Sequence, residues 1–212
     1  MTDTRPIAET DDAVAAMRHG SADALAIIFS RYRERLRQIV RFRLDYRIVA
    51  RVSDSDVLQE SYIAAVKRLD QFTQQMDMPP FLWLRLIVSQ QLIDVHRQHL
   101  GAEMRDVRRE VSLLPGGCSP HTSLAIAAQL AGPATAISEI IARAELIEKL
   151  QQTLNEMDDL DREVIALRHF EELNNIETAK VLGIEAAAAS KRYVRAMARL
   201  AKLIAPFNRP EN

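Results

Sequence analysis

Two neighbouring stretches, Ile176-Glu-Thr-Ala-Lys-Val-Leu-Gly183 and Ala186-Ala-Ala-Ala-Ser190-Lys-Arg-Tyr-Val-Arg195-Ala-Met-Ala-Arg199-Leu-Ala-Lys-Leu203, decide how this chain is read. Ile176, Ala179 and Leu182 recur three apart and lead into Gly183. Ala189, Tyr193, Ala196, Leu200 and Leu203 then alternate at spacings of four and three, the signature of a helix with one buried stripe. The pattern predicts two helices joined by a tight turn, the outline of a DNA-reading helix-turn-helix. With the apolar stripe inward, Ala187, Lys191 and Val194 fall opposite, Ala188 and Arg195 on one flank and Ser190 on the other, with Arg192 at the core margin. Small side chains at the start of such a helix let its backbone approach a major groove. Alanine methyls meet thymine methyls there, and Arg or Lys reaches guanine O6 and N7 or phosphates. Taken alone, the same face also reads as a solvated basic surface on a helix that merely packs.

Working upstream, Leu160, Val164, Leu167 and Phe170, and before them Leu146, Leu150, Leu154 and Met157, extend this helical body to about four helices. Between Pro115 and Ile137 the composition shifts to Gly, Pro, Ser, Thr and Ala, which reads as a flexible linker; only a short helical patch within Leu124–Leu130 is expected, without enough large apolar surface for a core. The N-terminal half has its own apolar periodicity. Ala24, Ile27, Ile28, Leu36, Ile39, Val40 and Leu44 predict one or two amphipathic helices between Asp11 and Tyr46. Ser53-Asp-Ser-Asp56 offers N-cap oxygens to a helix whose buried face is Leu58, Tyr62, Ala65, Leu69 and Phe72. Pro79-Pro80 opens a very apolar helix from Phe81 to about Leu100. The predicted fold is all-α: two small helical domains joined by a flexible linker, the C-terminal one carrying the helix-turn-helix.

The 212 residues include 48% hydrophobic and 27% charged side chains, a soluble globular balance, with a net charge of −1. That sum gives no support to nucleic-acid binding, yet the cations are clustered: Arg31 to Arg51, then Arg97 to Arg109, then the last helix. One cysteine, Cys118, leaves no internal disulfide, and the N-terminus lacks the apolar core of a signal peptide. The longest nearly unbroken apolar run, Phe81 to Val88, is broken by Arg85 and is too short to span a bilayer. A cytoplasmic protein without membrane contact is expected.

Asp56-Val-Leu-Gln-Glu-Ser-Tyr-Ile-Ala-Ala65, Phe81-Leu-Trp-Leu-Arg85 with Ile93-Asp94 behind it, Asp161-Arg-Glu-Val-Ile-Ala-Leu-Arg168, Ala179-Lys-Val-Leu-Gly183 and Arg192-Tyr-Val-Arg-Ala196 are, in order and spacing, similar to the bacterial sigma factors of the extracytoplasmic-function (ECF) subgroup. The resemblance covers roughly residues 20–110 and 140–204. It implies a non-enzymatic initiation factor that lends promoter specificity to core RNA polymerase, with conserved region two at residues 10–112, a linker at 113–138 and region four at 139–206. It further implies that Asp56, Gln59, Glu60 and Ile63 contact the polymerase. His96, Arg97, Arg105, Arg108 and Arg109 would meet the −10 element of promoter DNA, and Ala187, Ala188, Ser190, Lys191, Arg192 and Arg195 the −35 element. The loop of about Gln71 to Pro80 would receive a flipped base, and an anti-sigma factor is a further partner of the family. The chain departs from the pattern at Ala186–Ser190, where many relatives place hydroxyl residues and a lysine.

No catalytic residue, cofactor or metal is expected. Cys118 and His121, or His96 and His99, lack the three or four ligands zinc needs. Phe81 and Trp83 resemble stacking platforms, but on so apolar a helix core packing is the expectation. Alternate members of the Arg31–Arg51 run point to different sides of a helix, so most are assigned to solvated surface or ion pairs within the domain. Two other readings stand beside the sigma factor: a dimeric helix-turn-helix repressor or activator that ignores the polymerase, and a protein-interaction module whose basic helices take an acidic partner.

Overall fold

Helix α1 (Ile7–Arg18) runs to Gly20, and Ser21 then opens α2 (Ala22–Arg43) by accepting the Ala24 amide at 3.2 Å. Ser53 opens α3 (Asp54–Lys67) with a reciprocal cap: its hydroxyl accepts the Asp56 amide at 3.1 Å while the Asp56 carboxylate accepts the Ser53 amide at 3.3 Å. Such a box satisfies two amides that the helical ladder leaves over, and is worth about 1 kcal/mol. The chain breaks direction at Arg68, passes through the short α4 (Leu69–Thr73) and enters α5 (Pro80–Leu100) on its second proline. The computed structural model describes residues 7–75, 77–100, 120–132 and 137–205, and among these every regular element is a helix.

The chain divides into two compact units, residues 1–99 and 100–212. In the first, α2 contributes Leu25, Ile28, Leu36, Ile39 and Val40 to a core that α3 meets with Val57, Leu58 and Ala65. Helix α5 is buried on nearly all sides over its first half, from Phe81 to Ser89, with Leu86 the exposed exception. Phe81 and Trp83 are each 3% exposed and belong to the core; Trp83 packs on Phe72 with ring centroids 5.0 Å apart, and Phe81 on Tyr32 at 5.1 Å. The arginine run on α2 is largely engaged inside the unit. Arg35 lies 3.8 Å over the Phe81 ring, Arg37 pairs with Glu34 at 2.7 Å, and Arg41 bonds the Asp54 carboxylate.

The second unit holds α6 (Pro120–Leu130), α7 (Ile137–Asn155), α8 (Asp159–Ile165) running on into one π-type turn (Ala166–Phe170), α9 (Asn175–Leu182) and α10 (Ala186–Ile204). Helix α6 takes in the short helical patch expected within Leu124–Leu130 and begins earlier, at Pro120. Ser123, Ile126 and Ala127 are fully buried where α6 packs against α7. From α7, the Arg143 guanidinium donates to the Gly132 and Ala128 carbonyls at the C-terminal end of α6, where a helix leaves carbonyls without partners and favours a cation. Counting large apolar residues missed this packing because alanine contributes by letting two helices approach closely. Residues 113–119 and 133–136 of the expected linker lie outside the described residues.

Candidate nucleic-acid interface

Asn174 and Glu177 cap α9 reciprocally, each side chain taking the other's amide at 2.9 Å. Gly183 ends the helix at φ +63°, the left-handed conformation that glycine adopts without a Cβ penalty, and its amide and that of Ile184 return to the Ala179 carbonyl. The Asn175 amide group then donates to the Ala186 carbonyl at 2.7 Å, tying the start of α9 to the start of α10. Two helices and a tight turn are thereby fixed where the sequence pattern placed them. The inward residues differ in detail: Ile176, expected inside, is 73% exposed, and Thr178 is buried in its place. The capping box starts the helix at Asn175, which leaves Ile176 in an outward first turn.

On α10, Ala189, Ala196 and Leu200 are buried and Tyr193 is half-buried under the Arg168 guanidinium, 4.4 Å from the ring centroid. Ala187, Lys191, Val194, Arg195, Arg199 and Lys202 are exposed, and Ala188 and Ser190 are half-buried. A concavity of about 580 Å³ is lined by Ala188, Ser190, Lys191, Arg192, Val194 and Arg195, so five of the six residues expected at the −35 element share one surface. Arg192 is engaged inward: its guanidinium bonds Asp161 at 2.6 Å and Asp158 at 3.3 Å at the start of α8. Sequence spacing put it at the core margin and could not show that α8 presents two carboxylates there.

In the first unit the polar half of α5 carries His96 and Arg97. The Asp45 amide donates to His96 Nε2 at 3.2 Å, so this histidine also holds the α2–α3 connection. Arg97 pairs with Asp94 at 2.7 Å and remains 60% exposed. Arg105, Arg108 and Arg109 lie outside the described residues. The loop between α4 and α5 is held by a residue that sequence reading did not single out: Arg18, at the end of α1, donates to the Gln75 carbonyl at 3.2 Å and the Met78 carbonyl at 3.1 Å, and its guanidinium lies 5.2 Å from the Phe72 ring centroid. Contacts 57 and 60 residues apart in sequence leave no local signal.

The third set lies on α3. Gln59, Glu60 and Ile63 are exposed, while Asp56 spends one carboxylate oxygen on the capping box. Beside Gln59 a cavity of about 380 Å³ opens between α2 and α3, lined by Phe29, Arg33, Leu58, Gln59 and Tyr62 among others. Asp54 stiffens this end of the helix; the Arg41 hydrogen bond, with Arg37 behind it, holds its carboxyl below the ordinary value despite partial burial. No three metal-ligating side chains converge among the described residues, and no described helix is long and apolar enough to cross a membrane.

A model of the family described as ECF sigma factor matches residues 8–208. The RNA polymerase sigma factor NccH of Alcaligenes xylosoxydans xylosoxydans is 32% identical over 151 residues, 70% of this chain and 72% of NccH. The ECF RNA polymerase sigma factor SigW of Bacillus subtilis (strain 168) is 25% identical over 190 residues, 89% of this chain and 93% of SigW. A chain from the structure of CnrH in complex with the cytosolic domain of CnrY shares the fold with a TM-score of 0.51 at 24% identity, covering 92% of this chain and 96% of that one. With the family matched along nearly its whole length, and a relative above 30% identity over more than two thirds of it, this chain belongs to the ECF sigma factors.

Proposed function

We propose that promoter recognition is divided along the chain, with residues 139–206 reading the −35 element through α10 and residues 10–112 docking on core polymerase and reading and melting the −10 element. An ECF sigma factor is a non-catalytic initiation factor that binds core RNA polymerase and promoter DNA, so each exposed face has a partner to be assigned. The observation that carries the assignment is the charge on α10. Lys191, Arg195, Arg199 and Lys202 are all exposed, and no acidic residue occurs anywhere between Ala186 and Ile204. Such a surface suits the phosphate backbone, whose neutralisation supplies much of the affinity for DNA. Lys191 and Arg195 contact DNA directly, Ala187, Ala188 and Ser190 allow close approach, and Arg192 orients the helix from its seat on α8.

In the first unit, Arg97 and His96, with Arg105, Arg108 and Arg109 beyond, neutralise phosphates beside the opening −10 duplex, and the loop held by Arg18 receives an unstacked base. Gln59, Glu60 and Ile63 form the polymerase contact, a mixed acidic and apolar face suited to a basic protein surface, with Asp56 maintaining the helix start. CnrH was solved with the cytosolic domain of CnrY; a protein partner of that kind, an anti-sigma factor competing for these faces, belongs to the proposal.

Run-off transcription with core polymerase and a promoter library tests the division. Arg195→Ala is expected to lower promoter affinity while leaving core binding intact, and the Gln59→Ala, Glu60→Ala double variant to do the reverse. Equal losses in both assays for both variants would refute it.

A further inference from the structure

Val194 is a β-branched residue placed where a helix gains least from one. It is 62% exposed in the middle of α10, where alanine would cost less conformational freedom and leave less apolar surface in water. It is not an isolated surface valine. Seven residues are close to two helical turns and eleven close to three, so Ala187, Val194 and Ala198 fall within about 20° of one line along the helix, and all three are exposed. Lys191 and Arg195 lie to one side of that line, about 40° and 80° round the helix. The outward half of α10 thus has two parallel edges, one presenting only methyl groups and one presenting cations. The third cation of these turns, Arg192, is drawn away to Asp161 and Asp158.

In a major groove the cationic edge finds phosphates and guanine O6 and N7, whereas a side chain without donors or acceptors distinguishes one base feature, the C5 methyl of thymine. We infer that Val194 is a specificity-determining residue of this sigma factor, packing its methyls on a thymine C5 methyl in the −35 element while Lys191 and Arg195 hold the flanking backbone. This rests on the proposed −35 reading by α10 and adds the base chemistry that reading lacks. The occupant is committed by charge: an apolar side chain set beside a row of exposed cations, on a helix without one carboxylate, complements a polyanion with an apolar feature in its groove and repels a basic protein surface.

The test uses the full chain with core polymerase on duplex promoters whose −35 segment is randomised. Bound duplexes are selected and sequenced, and each enriched thymine is then replaced singly by deoxyuridine, which removes the C5 methyl and nothing else. At one enriched position the replacement is expected to weaken binding about fourfold, the equivalent of one buried methyl group. With Val194→Ala the thymine and deoxyuridine duplexes should bind equally at that position, with penalties elsewhere unchanged. Val194→Thr, which keeps the branched shape but exchanges a methyl for a hydroxyl, should fall between them. Because Val194 is exposed, unchanged thermal melting of both variants checks that folding is intact. An enriched element whose thymines all tolerate deoxyuridine, or one without thymine, overturns the inference and leaves the −35 reading standing. A penalty that persists undiminished in Val194→Ala assigns the methyl to another residue and also overturns it. No enrichment at all in the randomised segment removes the −35 reading itself, and the inference with it.

Discussion

Removing the Arg18 guanidinium tests whether the loop ahead of α5 is pre-shaped for its task. Its two bonds, to the carbonyls of Gln75 and Met78, are at 3.2 and 3.1 Å; the first is exposed and the second part-buried. A hydrogen bond from a charged donor is worth about 1.5 kcal/mol or more when buried, and solvent reduces this, so about 1 kcal/mol is assigned to the Met78 bond and about half that to the Gln75 bond. The Phe72 ring contact adds about 0.5 kcal/mol. Arg18→Ala is therefore expected to destabilise the first unit by about 2 kcal/mol in urea unfolding, and Arg18→Lys by roughly half as much, because an ammonium serves one carbonyl but does not reproduce the planar fork across both. If promoter opening requires this loop in its ordered shape, the same 2 kcal/mol appears as a roughly 30-fold loss of open complex. Permanganate reactivity of unpaired thymines near −10 measures that loss, while duplex affinity at −35 should not change. An Arg18→Ala protein that unfolds within a few tenths of a kcal/mol of the parent, and opens promoters as well, would refute both the magnitude and the role.

Three further outcomes follow from the geometry of single residues. Gly183→Ala forces a Cβ into the left-handed region at φ +63° with no neighbour within 4 Å, so the cost is backbone strain alone, about 1–2 kcal/mol in thermal unfolding of the second unit; a neutral substitution would mean the turn relaxes. Arg192→Ala and Asp161→Asn should show a coupling of about 0.5–1 kcal/mol in a double-mutant cycle, since their pair at 2.6 Å is only partly exposed, and additive effects would mean it contributes nothing. Asp54→Asn should destabilise the protein at neutral pH: a carboxyl held below its ordinary value of 3.8 by Arg41 contributes stability above that value and loses it as pH falls through the lowered one. The difference between parent and variant should therefore vanish in strongly acidic solution, and a difference independent of pH would remove the ion pair as its cause.

Helical periodicity placed α2, α3, α9 and α10, and a proline start with an apolar run placed α5; periodicity is a local property of sequence. Its blind spots have the same origin. The spacing of Leu58, Tyr62, Ala65, Leu69 and Phe72 runs unbroken through Arg68, although the chain bends there, because α4 keeps Leu69 and Phe72 inward across the break. The short helical patch foreseen at Leu124–Leu130 has too few large apolar residues to signal a core, yet α6 is buried through Ile126, Ala127 and Ser123. On the outer side of α10, spacing was enough to gather Ala188, Ser190, Lys191 and Arg195 on one surface, since all lie on one helix. It was not enough for Arg18 or for the Arg192 seat on Asp158 and Asp161, both set by tertiary contacts.

Net charge was the least informative quantity, and the distribution of ion pairs explains why. Several of the described carboxylates are spent inside the units: Asp54 on Arg41, Asp45 on Arg47, Asp94 on Arg97, Asp159 on Arg162, Asp158 and Asp161 on Arg192. Among the described residues, the outer face of α10 receives none of these. Lys191, Arg195 and Arg199 stand four residues apart, a like-charge ladder that costs an isolated helix about 0.2–0.5 kcal/mol per neighbouring pair. Interspersed glutamates would remove that cost and would also cancel the field that attracts a polyanion. A helix that keeps the ladder, keeps an exposed valine beside it and spends its one inward arginine on orientation has given up local stability along one face only. That concentration of unfavourable local choices is what separates an interface from an ordinary solvated surface, and it supports the proposed DNA contact on the outward half of α10 without appeal to the overall charge.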